Sequence, residues 1–463
     1  MNNVTETLNA LTSGSLIFDE RADYLDLLLL HRSNPQRYPY LLESAAQSEQ
    51  NSRFDILFAY PQECMTLGAA DLADMDFLNQ FDERWKKSRT VQANHDLPFT
   101  GGWFVYLSYE FAQQIEPSLL LASTASINFP VAFATRIPAA IILDHHKHCS
   151  YLVAEKSFAH LLPMMSDDLE SAMVALEEGA SVTTVKIDEI IEDAPQAYLD
   201  GVARIKEYIL AGDTFQVNLS RAWRAKVEEG TSGGALYKQL RQANPSPFAG
   251  LIFHDGQYII SSSPERLVKV NQTYVEVRPI AGTRPRALEQ GDDKALSESL
   301  LKHPKEIAEH IMLIDLERND LGRICQPGSV EVNELMCLES YRHVHHIVSN
   351  VRGKLKAEIT PGEVISAVFP GGTITGCPKV RCMEIIHELE QEPRGAYTGA
   401  MGYVNNDGTM DLNILIRTLS LINNQITIRA GAGIVADSDP AMELEESRTK
   451  ARGLLRAIQN DLD

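Results

Sequence analysis

Two pairs of glutamates, each three residues apart, are the first place where this sequence could do chemistry. Glu306 and Glu309 lie in one stretch with helical periodicity, Glu443 and Glu446 in another. Residues three apart share a helix face. Two such faces brought together would set four carboxylates around one point, and that needs a cation. Oxygen-only ligands with open positions suit Mg²⁺, which keeps several of its waters. The alternative is a solvated acidic face, with Glu446 pairing Lys450 one turn on.

A third carboxylate stands apart in Ser263-Pro264-Glu265-Arg266. It follows an apolar strand and a proline-fixed bend, so Glu265 could be held away from water. A carboxyl in such a place has a raised pKa and can act as a general acid. A surface ion pair with Arg266 is the alternative.

Glycine-rich segments supply places where backbone could meet an anion. The run 370–379, PGGTITGCPK, opens a helix, and a helix N-terminus presents free N–H groups and a positive dipole. Thr375 sits in this turn, and Lys379 adds charge to it. Ala430-Gly431-Ala432-Gly433 follows a strand and could let a carboxylate approach main-chain donors. Close contact within a sheet explains such glycines equally well. Neither segment is a Walker loop or a GxGxxG fingerprint, so no nucleotide is implied. Arg278, Arg284 and Arg286 make a locally basic spot suited to carboxylates. His343-Val344-His345-His346 has no Cys or acidic partner spaced for zinc, so core or substrate contact is expected there.

The elements that must position these groups can be read from periodicity. Apolar residues at Tyr198, Val202, Ile205, Ile209 and Leu210 predict a helix over 196–211 that stops at Gly212. Strands are expected at 216–223, 248–254, 258–262 and 274–278, then a helix over 303–319 and another from about 378 to 389. Strands at 397–403, 410–421 and 425–430 and a last helix over 440–458 complete this half. The N-terminal half mixes strands at 52–60, 103–107 and 139–143 with a helix at 70–87. Short turns at 405–408 and 423–424 imply antiparallel hairpins, so an α+β architecture fits better than a parallel βαβ fold.

Composition sets limits on partners. At roughly 100–200 residues per domain, 463 residues suggest two to four domains, or one unusually large one. The one composition shift, over 166–195, divides an N-terminal region 1–185 from a catalytic region 195–460. Sixty-three acidic residues against 42 basic give a net charge of −21. That argues against nucleic acid or an anionic membrane surface as the main partner. An anionic substrate would need a cation or local donors to overcome the field. The six cysteines form no CxxC pair, the first residues lack the pattern of a signal peptide, and no apolar run is long enough to span a bilayer. A reduced, cytoplasmic protein is expected.

In their order, GDTFQVNLSR, SSSPERLV, RPIAGTRPR, EIAEHIMLIDLERNDLGR, GGTITGCPKVRCMEIIHELE, AYTGAMGY, IRT and AGAGIVADSDPAMELEESRTKAR resemble the chorismate-utilising family. The match is dense from about residue 196 to 458. The segments SRFDILFAYP and DLPFTGGWFVYLSYEFA look like the aminodeoxychorismate synthase branch, and anthranilate synthase component I is the nearest branch with another product.

The resemblance implies one large two-layer α+β fold, with antiparallel sheets packed face to face and helices outside. It implies that Glu309 and Glu446 bind Mg²⁺, supported through water by Glu306 and Glu443, and that the ion holds the ring carboxylate of chorismate. Tyr397, Arg417 and the backbone of Gly431, Ala432 and Gly433 match positions gripping the enolpyruvyl carboxylate. Lys450 lies where a family lysine reaches the substrate, and Thr375 joins these contacts. Glu265 matches the acid that protonates the departing C4 hydroxyl, Thr283 and His346 match residues lining the ring, and Lys379 is grouped with them.

Family members that add water carry a lysine base where this chain has Gln216. A neutral amide cannot deprotonate water, so ammonia is the expected nucleophile, supplied by a separate glutamine amidotransferase subunit. The implied reaction is amination of chorismate to 4-amino-4-deoxychorismate, on the route to p-aminobenzoate and folate. Conversion to anthranilate is the alternative, and a non-catalytic regulatory homologue is a third reading. Ala281 replaces a lysine found in many aminodeoxychorismate synthases, which excludes a covalent lysine route through this position. Leu42-Glu43-Ser44 resembles the tryptophan-pocket motif of feedback-regulated anthranilate synthases, so tryptophan is a candidate ligand.

Overall fold

The computed structural model describes residues 11–13, 16–21, 25–45, 53–91, 96–119, 121, 128–177, 185, 187–285, 304–340 and 344–459. The side chains of Ala281, Thr283 and Glu306 lie outside the described residues. Among the described residues two large antiparallel sheets dominate, one of 13 strands and one of 10. Each takes strands from both ends of the chain. In the first sheet Tyr40–Glu43 pairs with Phe248–His254; in the second, Gly102–Leu107 pairs with Ala400–Asn405.

Alternation along the strands explains the layering. Successive side chains point to opposite faces. Tyr40 turns inward and stacks on Phe104 of the other sheet, with ring centroids 4.0 Å apart. Its neighbour Leu41 turns outward and packs with Leu27, Leu236 and Leu454 of the covering helices. The α+β two-layer architecture expected from the sequence is therefore present, with helices outside. All six cysteines are free. Among the described residues no helix is long and apolar enough to cross a membrane.

Many element boundaries follow local chemistry. The helix Pro195–Ala211 has proline in its first turn and ends at Gly212, whose φ of 85° is the left-handed conformation glycine adopts without strain. Asn423 and Asn424, with φ of 51° and 59°, form the two-residue turn between Thr418–Ile422 and Gln425–Ile434. The helix expected over 70–87 is shorter: a 3₁₀ turn at Ala69–Asp71 precedes the helix Phe77–Ser88, which Asp76 caps by accepting from the Asn79 N–H.

The strand expected over 410–421 is two strands in different sheets. Met410–Ile414 belongs to the second sheet and Thr418–Ile422 to the first. The neighbouring chain does the same: Gln257–Ser263 lies in the first sheet and Arg266–Asn271 in the second. The two crossings are side by side, since Ser261 pairs with Thr418 and Arg266 with Asn413. Ile414 N–H donates to the Glu265 carbonyl at 3.0 Å, and Ser262 N–H donates to the Arg417 carbonyl at 3.0 Å. A strand that changes sheets turns a corner. Glu265 occupies one corner and Arg417 the other.

Candidate active site

The first corner buries a carboxyl. Ser263 Oγ donates to the Ile414 carbonyl at 2.5 Å and accepts the Glu265 N–H at 3.2 Å, which fixes the bend. Arg266 does not pair with Glu265. It reaches Asp411, with Nε to Oδ1 at 2.8 Å and Nη2 to Oδ2 at 3.1 Å. Glu265 is only 5% exposed. Burial pushes its carboxyl up to about 7, against the pull of Thr373, the Ile280 N–H and the Lys450 charge. The exposed ion pair is thereby excluded, and the group can hold a proton near neutral pH.

The second corner presents a guanidinium. Arg417 takes φ of 52°, an uncommon conformation for a residue other than glycine, and its Nη1 donates to the Lys450 carbonyl at 3.1 Å. Among the described residues it makes no ion pair. Burial lowers its pKa, and the neighbouring Tyr397 and Glu446 pull it back the other way. A half-buried cation without a paired carboxylate is suited to receive an anion.

The break before Thr418 also frees an edge. Gln425–Ile434 pairs with Gln216–Lys226 along its length, but with Thr418–Ile422 only as far as Leu419–Ile428. Gly431, Ala432 and Gly433 thus lie past the last strand pairing on that side. Lys450 Nζ reaches the Gly431 carbonyl at 3.0 Å and Glu446 Oε1 at 2.8 Å. The glycines also serve packing. A Cβ on Gly431 would stand 2.0 Å from the Leu219 carbonyl oxygen, and one on Gly433 would stand 2.2 Å from Gln216 Nε2. Gln216 is therefore laid against Gly433. It is 8% exposed, and its Oε1 accepts no hydrogen bond from any described residue.

Tyr397 is positioned by a buried charge network. The Arg394 guanidinium lies over its ring at 5.6 Å, Arg394 bonds Glu390 at 2.7 Å, and Glu390 also bonds Arg429 at 3.0 Å. Burial raises the Tyr397 pKa, and it keeps its proton. On the second sheet, Gly282 has φ of 66° at the register shift between Ala281 and Thr283. This bulge sets Thr283 opposite His346. Burial pushes His346 down to about 4, with Arg417 adding to the effect, so the ring is neutral at pH 7.

The acidic pairs are on the expected helices, Pro304–Ile324 and Pro440–Gln459. Glu443 and Glu446 lie close enough to Tyr198 for their charges to oppose its ionisation. Glu446 is paired with Lys450. Among the described residues no three His, Cys, Asp or Glu side chains gather closely enough to hold an ion as they stand. The donor set is oxygen-only, as Mg²⁺ requires.

Two groups of the 370–379 turn face inward. Thr375 is fully buried and its hydroxyl donates to the Gly371 carbonyl at 3.0 Å, while its own carbonyl accepts the Asn218 N–H at 3.0 Å. Lys379 is bound to Asp320, Nζ to Oδ2 at 2.5 Å. Glu317, one helical turn before Asp320 and 5% exposed, feels the charges of this pair and of Glu265, and is a group that sequence reasoning passed over. Its spacing on the helix was visible, but nothing in a single sequence marks it as facing inward.

A separate cavity of about 530 Å³ is lined by Leu42, Glu43, Ser44, Met401, Tyr403 and Asn413, among others. Glu43 accepts from Tyr237 at 2.5 Å and pairs with Arg241 at 2.8 Å. Ser44 N–H donates to Asp55 at 2.8 Å. The three residues singled out from the sequence thus share one cavity wall.

Residues 38–456 match the chorismate binding enzyme family. An anthranilate synthase component I-like protein from Synechocystis is 44% identical over 366 residues, covering 78% of this chain and 74% of its own. Aminodeoxychorismate synthase component 1 from Bacillus subtilis is 39% identical over 390 residues, covering 81% of each. The crystal structure of anthranilate synthase component I from Streptococcus pneumoniae superimposes with a TM-score of 0.73 at 31% identity, covering 89% of this chain and 94% of that one.

Proposed function

The chain belongs to the chorismate-binding enzyme family, and from that premise we propose that it aminates chorismate to 4-amino-4-deoxychorismate, using ammonia from a glutamine amidotransferase subunit. It is a chorismate-utilising enzyme of the anthranilate and aminodeoxychorismate synthase type.

The setting of Gln216 carries the choice of nucleophile. A neutral amide cannot take a proton from water, whereas ammonia already has a free electron pair. The buried Gln216 Oε1 without a partner supports the same reading, because it can accept an N–H of the incoming ammonia.

The substrate's anionic groups have matching receptors. Arg417, Tyr397 and the free edge at Gly431–Gly433 would take the enolpyruvyl carboxylate, with Lys450 beside them. Glu309 and Glu446, backed by Glu306 and Glu443, would hold Mg²⁺. When bound, that ion would neutralise the ring carboxylate. Neutral His346 and the neighbouring Thr283 would line the ring. Glu265 would give its proton to the departing C4 hydroxyl, which leaves as water.

The first product reading rests on the N-terminal segments and is supported by the likeness to the Bacillus subtilis protein. Ala281 favours a second reading, anthranilate, and two of the relatives bear that name. Purified chain given chorismate, Mg²⁺ and an ammonium salt separates them. p-Aminobenzoate should appear only after a separate lyase is added, and chelation with EDTA should stop turnover. Direct appearance of fluorescent anthranilate would replace the first reading with the second. A hydroxylated product would defeat both.

The cavity beside Glu43 supports tryptophan as a ligand. Ligand binding to the folded state stabilises it by mass action. Millimolar tryptophan should therefore raise the melting temperature, and Glu43→Ala should cancel the rise. No shift with the unchanged chain would leave Leu42, Glu43 and Ser44 with a packing role alone.

A further inference from the structure

Arg394 is 5% exposed, and no step of the proposed reaction uses it. Its guanidinium makes five hydrogen bonds, as many as it has N–H groups. Nε and Nη2 donate to Glu390 at 3.0 and 2.7 Å. Nη1 donates to the Ile374 carbonyl and to Thr398 Oγ1, each at 3.3 Å. Nη2 also donates to the Asn218 carbonyl at 2.7 Å. One side chain thus binds the 3₁₀ turn Gly372–Ile374, the strand Gln216–Lys226 and the residue that follows Tyr397.

The segment around Tyr397 is strained. Tyr397 N–H donates to the Arg394 carbonyl at 3.2 Å, which closes a turn over 394–397. Thr398 comes next with φ of 64°, a conformation that a β-branched residue adopts only where its surroundings impose it. It is 2% exposed, and its Oγ1 donates to the Tyr397 carbonyl at 2.5 Å while accepting from Arg394 Nη1. Its N–H donates to the Leu415 carbonyl at 2.8 Å, two residues before Arg417. The strand is the fixed member of this contact. Gln216–Lys226 pairs along its length with Gln425–Ile434, so Asn218 is held without Arg394. The turn precedes the strand Ala400–Asn405 and has no such ladder.

We propose that Arg394 is a positioning residue that holds Tyr397 in register with the strand of Gln216, so that the Tyr397 hydroxyl meets the enolpyruvyl carboxylate. The proposal rests on the reading of Tyr397 as a receptor for that carboxylate. Lysine is the informative replacement. Its ammonium keeps the charge beside Glu390 but lacks the planar fork that reaches Ile374, Thr398 and Asn218 together. Glu390 also retains Arg429 at 3.0 Å and the Ser220 N–H at 2.8 Å, so the buried carboxylate is not left unpaired.

The test is a double-mutant cycle on the full chain with chorismate, Mg²⁺ and ammonium. Arg394→Lys should raise KM for chorismate by roughly tenfold, within the range of coupling between residues in contact. KM for ammonium should stay within about twofold, because Gln216 is laid against Gly433 on the paired strand. Tyr397→Phe alone should raise KM for chorismate by roughly ten- to hundredfold, the loss of a hydrogen bond to a charged group. Adding Arg394→Lys to Tyr397→Phe should then change that KM by less than about twofold, since no hydroxyl remains to be placed. Effects of the two substitutions that multiply in full overturn the proposal, as does an equal rise in both KM values or an unchanged KM for chorismate in Arg394→Lys. Should Arg394→Lys fail to fold, Thr398→Val gives the same readout. It keeps the β-branched shape and removes the hydroxyl that joins Arg394 to the Tyr397 carbonyl, so KM for chorismate should again rise in the chain with Tyr397 and not in the Tyr397→Phe background. Any other pattern overturns the proposal. If Tyr397→Phe alone leaves KM for chorismate unchanged, the carboxylate reading of Tyr397 fails and the role of Arg394 fails with it, whereas full multiplication removes Arg394 alone.

Discussion

Glu265→Gln is expected to lower kcat by a factor of roughly 10²–10⁴, the usual contribution of a positioned general acid. Gln keeps the shape and the neutral state of the buried group but has no proton to give to the leaving hydroxyl. KM for chorismate should change little, because the substrate's carboxylates are received elsewhere. Stability supplies an independent check. Folding raises the Glu265 pKa from 4.5 to about 7. The folded state therefore binds more protons than the unfolded one across that interval, and the favourable contribution is complete below 4.5 and lost as pH rises through 7. Gln does not titrate. The variant should match the unchanged chain near pH 4.5 and melt higher than it at pH 8. In the unchanged chain, kcat should fall as pH rises past the range where Glu265 is protonated. A variant that turns over normally would remove Glu265 from the chemistry.

The corner at Glu265 was partly legible in the sequence. A proline beside a glutamate at the end of an apolar strand indicates a bend and a carboxyl near the core. What the sequence did not disclose is the reason for the bend, which is the passage of the chain from one sheet to the other. The same gap explains the single strand expected over 410–421. Its residues are apolar enough to read as continuous, and the break at Leu415–Arg417 is imposed by the sheet change next to it. Local punctuation was more informative elsewhere. Gly212 ends a helix and Asn423-Asn424 makes a hairpin because both depend on φ values that near neighbours alone determine. Sheet order depends on pairings hundreds of residues apart, such as Leu42 with Gly250, and no short-range pattern encodes them.

The site shows the same division. Gln216, Gly431–Gly433, Arg417 and Lys450 carry motif spacing, and the structure brings them to one place. Both acidic pairs fall on helices, and of the described side chains Glu446 is engaged with Lys450. Lys379 was read as charge at a helix start and is instead committed to Asp320. Glu317 left no trace in the sequence because burial of a charged helix residue is decided by what packs against it, here the turn at Gly372.

Arg417→Met is expected to cost the second large factor, and to cost it in binding. Truncating one partner of a buried, hydrogen-bonded charge pair costs about 2–5 kcal/mol. That corresponds to a loss of roughly 30-fold to several thousandfold in kcat/KM for chorismate. The loss should fall mainly on KM, because the enolpyruvyl carboxylate keeps its charge throughout the reaction and is held equally in the ground and transition states. Arg417→Lys should recover only part of the loss, since an ammonium cannot offer the planar fork that meets a carboxylate in two places. The free enzyme should respond in the opposite direction. Arg417 makes no ion pair among the described residues, and burial already disfavours its charged form. Removing that charge should leave the melting temperature unchanged or higher. A fall in melting temperature that matched the loss of activity would make Arg417 a structural residue, and an unchanged kcat/KM would take the carboxylate away from this corner. If the first pattern is found, the two adjacent sheet crossings divide the work: one holds the proton that leaves with oxygen, and the other holds the anion that stays.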